Sequence, residues 1–150
     1  MRIYISSTLE DLKDYRAIGI EAVRLLGHVP VSMEKYGAES CPPIARCRED
    51  VAACDIYVGL FAWRYGAIPP GEEFSFTECE LREAERLGKP ILAFLLDEEA
   101  DWRPKFFDRG EAGEQITRLR AELQEKYLTA FFSSRDDLRE KVAHAVREAV

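Results

Sequence analysis

Residues 56–62 read IYVGLFA and residues 90–96 read PILAFLL, two almost unbroken apolar runs of strand length. A strand with one wet face alternates apolar and polar residues, so runs without alternation predict strands covered on both faces, as at the centre of a parallel sheet. Outward toward the N-terminus, residues 42–55 (PPIARCREDVAACD) begin with prolines and carry Ile44, Cys47, Val51 and Cys54 at helical spacing. Residues 28–33 (HVPVSM) predict a strand, and Pro30, which has no N–H for a ladder, assigns it to an edge. Residues 2–6 (RIYIS) predict the first strand, and residues 7–27 an amphipathic helix closed by Gly27. Toward the C-terminus, the acidic, Trp- and Pro-containing residues 97–110 predict an exposed, mobile loop. A charged helix over 111–127, a short strand at 129–132 (TAFF) and a helix with Ser134 and Asp136 or Asp137 near its start complete the pattern.

Five strands alternating with helices predict an α/β domain of three layers, with a parallel sheet and helices on both of its faces. The edge position of the second strand selects the flavodoxin-like order 2-1-3-4-5. The expectation is one domain over residues 1–150; its ending on a helix suits the N-terminal module of a longer protein. In such sheets ligands bind beyond the carboxyl ends of the strands where the winding reverses, here between the first and third strands.

The 150 residues are 47% hydrophobic and 33% charged, with a net charge of −7. Without clustered Lys and Arg, nucleic acid and anionic membranes are excluded as expected partners. The N-terminal MRIYISSTLEDL turns acidic too soon for a signal peptide, and no apolar run reaches membrane length, so a cytoplasmic location is expected. The four cysteines, Cys41, Cys47, Cys54 and Cys79, then read as reduced, small buried hydrophobes, their spacing unlike the close pairs of a zinc site. His28 and His144 both lie away from the winding reversal, so no metal and no Ser-His or Cys-His nucleophile is expected.

The residues facing the crevice come from three stretches. Residues 74–90 (FSFTECELREAERLGKP) predict a short helix whose one side holds Phe76, Thr77, Glu80, Leu81, Ala84 and Leu87, with Glu78, Arg82, Glu85 and Arg86 opposite. Ser75 and Glu78 have capping-box spacing, which gives Glu78 a structural role. Glu80 has no such role. A carboxylate in an apolar stripe, near a helix N-terminus and partly solvated at the crevice, reads as functional, or else as bonded to a loop or paired with Arg64. After the first strand, Ser7 with Glu10 or Thr8 with Asp11 also fits a capping box, while Ser6 points into the crevice, where free N–H groups suit a phosphate. After the third strand come Trp63, Arg64 and Tyr65, able to stack a ring and clamp a phosphate, or to cover the sheet end with Arg64 paired to an acid. Neither a P-loop nor a dinucleotide-binding glycine fingerprint is present.

The segments YISSTLEDLKDYR, LGHVPVSMEKYGA, CDIYVGLFAWRYG and FSFTECELREAERLGKPILAFLLDE resemble, through residues 2–98, a TIR-like family of domains of unknown function found ahead of NACHT or tetratricopeptide-repeat regions. The resemblance implies kinship with TIR domains and nucleoside deoxyribosyltransferases, which cleave N-glycosidic bonds with one glutamate on the helix after the third strand. Thr77, Glu80 and Ala84 match the deoxyribosyltransferase pattern, whereas Phe76 to Cys79 stand where TIR domains carry a Trp-Cys pair. It implies Glu80 as the catalytic residue, with Ser6, Ser7, Trp63, Arg64, Tyr65 and Thr77 around the ligand. It also implies a signalling or defence domain that takes NAD as substrate without a cofactor, self-associates and works with attached or partner regulatory domains. A non-catalytic interaction module and a nucleoside-processing enzyme stand as the alternatives.

Overall fold

The computed structural model describes residues 1–32 and 43–150. Five strands, β1 (Arg2–Ser6), β2 (Val29–Val31), β3 (Ile56–Phe61), β4 (Ile91–Leu96) and β5 (Ala130–Phe132), form one sheet in the order β2-β1-β3-β4-β5. Every pairing is parallel, with Ser6 opposite Gly59 and Phe61 opposite Leu95 in register. The fold is thus the flavodoxin-like one that the apolar runs and the edge proline predict. Pro30 sits in β2, paired with β1 alone.

The helices are α1 (Lys13–Leu25), α2 (Ile44–Ala52), α3 (Phe76–Arg86), α4 (Gly110–Lys126) and α5 (Arg135–Ala149). Strand alternation divides the core into two sides. Ile3, Ile5, Val58, Leu60, Phe94 and Leu96 meet α1 and α5 through Leu12, Val23, Leu138 and Val142. Tyr4, Tyr57, Phe61, Ala93 and Leu95 face the other way, against Val51 of α2, Leu81 and Ala84 of α3, and Ile116, Leu119 and Leu123 of α4. In the middle of β3 the Phe61 and Tyr57 rings close over Gly59: a Cβ there would lie 2.5 Å from the Phe61 ring and 2.9 Å from that of Tyr57.

Several local expectations are corrected. The first helix begins at Lys13 with no side-chain cap, because residues 7–12 form a turn in which the Thr8 hydroxyl donates to Asp11 Oδ1 at 2.5 Å. Neither proposed capping box forms there. Cys54 lies just past the end of α2, although it, Cys47 and Cys79 are buried free thiols. Met33 and Cys41 fall outside the described residues. The stretch over 97–110 is tied down: it contains a 3-10 turn at Pro104–Phe106, Trp102 packs on the core, and the Asp108 N–H donates to the Trp63 carbonyl at 3.0 Å. At its start α5 follows expectation, the Ser134 hydroxyl accepting from the Asp137 N–H at 3.1 Å. Among the described residues, no helix is long and apolar enough to cross a membrane.

Candidate functional site

At the winding reversal between β1 and β3, Tyr4 and Ser6 project from β1 on the side covered by α3, since residues two apart share a face. Glu80, one turn into α3, meets both. Its Oε1 accepts from Ser6 Oγ at 2.7 Å, and its Oε2 accepts a short hydrogen bond from the Tyr4 hydroxyl. No cation lies within ion-pair distance of it among the described residues. Burial pushes the carboxyl up to about 7, against the opposing pull of the Tyr4 and Ser6 hydroxyls, the charge of Arg16 and the Cys47 thiol. The expected partial solvation is corrected: Glu80 is 1% exposed, and Ser6, turned to it instead of into the crevice, is also 1% exposed. Tyr57 stacks beside Tyr4 with ring centroids 6.4 Å apart, and its buried hydroxyl has no partner of good geometry.

Glu78 lies on the same helix, yet against expectation it too is buried, because α4 covers that side. Arg82 Nη2 and Arg118 Nη2 approach its two oxygens at 2.7 and 2.8 Å, and the Tyr65 hydroxyl donates to Oε1 at 2.6 Å. The capping box is completed by a relay. Ser75 Oγ accepts the Glu78 N–H at 3.2 Å as expected, but the Ser75 N–H goes to the Tyr65 hydroxyl, which hands its own proton to Glu78.

A cavity of about 260 Å³ opens between the residues that follow β1, those that follow β3 and the start of α3, lined by Ser7, Thr8, Arg64, Gly66, Phe76 and Thr77 among others. Ser7 adjoins Ser6 and Thr77 stands one helical turn before Glu80, so this cavity and the buried carboxyl are adjacent layers of one site. Gly66 is held at φ +92, and a Cβ on it would lie 3.1 Å from the Thr8 methyl, so the loop closes the cavity only because glycine stands there. Little of the α3 N-terminus is left for an anion: the Phe76 N–H bonds to the Ala67 carbonyl and that of Glu78 to Ser75.

Of the sequence-predicted set, Ser7, Arg64 and Thr77 line the cavity, Ser6 and Glu80 lie beneath it, and Trp63 and Tyr65 are turned elsewhere. Arg64 pairs with Glu10 at 3.0 Å and lies 3.9 Å from Asp108; Glu80 is not its partner. Trp63 is stacked on Phe107 at 6.0 Å, with the Arg120 guanidinium 3.9 Å from its ring centroid. Sequence reasoning missed Tyr4, Tyr57 and Cys47 around the carboxyl. The signal for Tyr4 was available in the two-residue period that puts it on the Ser6 face. It also missed Arg120, buried on the charged α4, whose guanidinium donates to the carbonyls of Phe61, Ala62 and Leu96 at 3.2, 3.2 and 2.6 Å. Among the described residues, no group of three or more His, Cys, Asp and Glu side chains is placed to hold a metal ion.

The chain belongs to the family described as a domain of unknown function, DUF4062, which residues 2–147 match. No curated protein matches it. Among solved structures it is similar to a Clostridium botulinum CMP N-glycosidase, BcmB, at TM-score 0.56 and 14% identity, covering 97% of this chain and 99% of that one. It is also similar to the TIR domains of the activated Roq1 resistosome, at TM-score 0.52 and 16% identity, over 97% of this chain and 83% of that one. At these identities the likeness is one of fold. A 2-desoxiribosyltransferase from Leishmania mexicana matches at TM-score 0.42 and 18% identity, over 85% of this chain and 99% of that one, too loosely to carry an argument.

Proposed function

We propose that this DUF4062 domain cleaves the N-glycosidic bond of a nucleotide, with NAD as substrate and Glu80 as the catalytic carboxylate. The observation that carries the reading is a carboxyl at the sheet's winding reversal held by two hydroxyls and by no cation. The shared fold with a protein named as a CMP N-glycosidase supports it without specifying the substrate.

Loss of nicotinamide from ribose builds positive charge on the sugar, and a carboxylate beside that carbon, bonded to a ribose hydroxyl, stabilises the oxocarbenium-like state. Nicotinamide in NAD is already cationic. It leaves with the electron pair of the broken bond as a neutral molecule, and water or another acceptor then adds to the sugar, so the base needs no proton from the protein. In this reading Ser7 and Thr77 line the ribose position, Arg64 exchanges Glu10 for a phosphate, and Ser6 and Tyr4 give up their bonds to Glu80 as a ribose hydroxyl takes their place. Trp63 and Tyr65, which the resemblance places around the ligand, support the rim through Arg120 and Glu78. The layer over Glu80 must open for this, and self-association under the control of attached or partner domains is the event assigned to open it.

The test follows free nicotinamide from NAD at rising protein concentration, with Glu80→Gln as control. The expected result is release that climbs faster than protein concentration and falls at least about a hundredfold in the variant. Since only the ionised carboxyl stabilises the cation, release should also rise with pH through about 7. Base release from deoxynucleosides and none from NAD would reassign the substrate.

The 1% exposure of Glu80 and the occupied state of Trp63 and Tyr65 favour one second reading, a non-catalytic module that docks on copies of itself. Equal signals from wild type and Glu80→Gln at every concentration would select it.

A further inference from the structure

On the far side of the β1–α1 turn from the Ser7–Thr77 cavity lies another of about 570 Å³, between the start of α1, the segment around Trp102 and the N-terminus of α5. Of its lining, Glu10 alone is shared with the Ser7–Thr77 cavity. We propose that this cavity is a binding site for a nucleoside phosphate whose base carries an amino group, the base resting against Tyr15, Trp102 and Phe106 and the phosphate on Lys13 and Arg103.

Size, shape and charge each bear on this. A volume of this order lies in the range of small-molecule sites, which runs from roughly 300 to 1,000 Å³. The aromatic wall is continuous: Tyr15 and Trp102 have centroids 5.8 Å apart and Trp102 and Phe106 6.2 Å, with the Lys105 ammonium over the Phe106 ring at 5.0 Å. Four acids also line the cavity, and two of them are paired. Glu10 is paired with Arg64 at 3.0 Å and Asp14 with Arg135 at 2.9 Å. Asp11 is 7% exposed, and its Oδ1 accepts from the Thr8 hydroxyl. That leaves Lys13 and Arg103, neither in an ion pair among the described residues, facing Asp101. These two unpaired cations are the groups that would meet the phosphate.

Two polar atoms supply the specificity. Asp11 Oδ2 and Trp102 Nε1 are buried with no hydrogen-bond partner among the described residues, and both residues line the cavity. A buried acceptor and a buried donor that no protein group meets are costly to leave unmade, so a ligand that satisfies both gains two hydrogen bonds. The exocyclic amine of adenine or cytosine would donate to Asp11, and the neighbouring ring nitrogen would accept from Trp102. Bases that carry an oxygen in place of that amine would set an acceptor against the carboxylate.

Calorimetric titration of the full chain with AMP, CMP, UMP, adenosine and inorganic phosphate tests the site. AMP and CMP should bind saturably, with UMP at least about fivefold weaker. The exposed-residue variant Lys13→Gln/Arg103→Gln should weaken AMP at least about tenfold while changing adenosine less than about twofold. Glu80→Gln should leave AMP affinity within about twofold of wild type, which separates this site from the proposed catalytic one. Three results would overturn the assignment: no saturation by AMP or CMP up to about 5 mM, phosphate alone binding as tightly as AMP, or AMP affinity lost in Glu80→Gln but kept in the double variant.

Discussion

Two carboxylates two residues apart on α3, both buried, have opposite surroundings. Glu78 faces α4 and is locked by Arg82, Arg118 and the Tyr65 hydroxyl. Glu80 faces β1 and is held by the Tyr4 and Ser6 hydroxyls, with the Cys47 thiol nearby and the charge of Arg16 beyond ion-pair distance, so among the described residues no guanidinium meets it directly. The difference lies in partner chemistry, since both side chains are equally withdrawn from water. An anion matched by two guanidinium groups is part of the framework, whereas one held by hydroxyls keeps its protonation state adjustable near neutral pH.

That contrast can be broken experimentally, most severely at Glu78. Glu78→Ala leaves Arg82 with Glu85 and Glu122 and Arg118 with Glu122. It still empties a fully buried site and breaks the relay through Tyr65, and should cost about 3 kcal/mol of folding stability in urea titration. A loss below about 1 kcal/mol would mean that solvent reaching Arg118 already screens the pair. The second test is the pH dependence at Glu80. Its folded-state value of about 7 lies above the ordinary 4.5, so the unfolded chain ionises first and stability from this group falls as pH rises from about 4.5 to about 7, then levels. Glu80→Gln should remove that slope and be the more stable protein at pH 8 by roughly 2 to 3 kcal/mol relative to the comparison at pH 4.5. A slope retained in the variant would assign it to another group. The mildest test is Tyr4→Phe, which deletes one of the donors that hold the carboxyl down. It should move the titration upward and cost about 1 kcal/mol above pH 7, with little effect at pH 4.5, read from the same unfolding curves.

The sheet was legible because its evidence is local: the runs at 56–62 and 90–96 lack alternation, and a proline marks β2 as an edge. The position of Glu80 was legible for the same reason, as an acid breaking an apolar stripe. What surrounds the two glutamates was not, because their partners come from far along the chain. Arg118 reaches Glu78 from 40 residues away, and Tyr4 reaches Glu80 from 76. A single helix viewed alone shows one buried side, but α3 has β1 on one flank and α4 on another, so Glu78 on the opposite side is covered as well. Trp63 misled for a related reason. Its stacking partner is Arg120, and an arginine in a charged helix gives no local sign that it turns inward to meet carbonyl groups.

Arg120 has a mechanical consequence. Its guanidinium fastens the carboxyl ends of β3 and β4 together through main-chain oxygens and is roofed by an indole, an attachment that no acid can release by taking up a proton. Burial lowers its own ionisation only to about 10, so the rivet stays charged throughout the neutral range. The carboxyl ends of β3 and β4 are therefore held at a fixed spacing, so the β3 side of the winding reversal is the still wall. A doorway to Glu80 is cut on the other sides, at β1, at the helix or at the loops above.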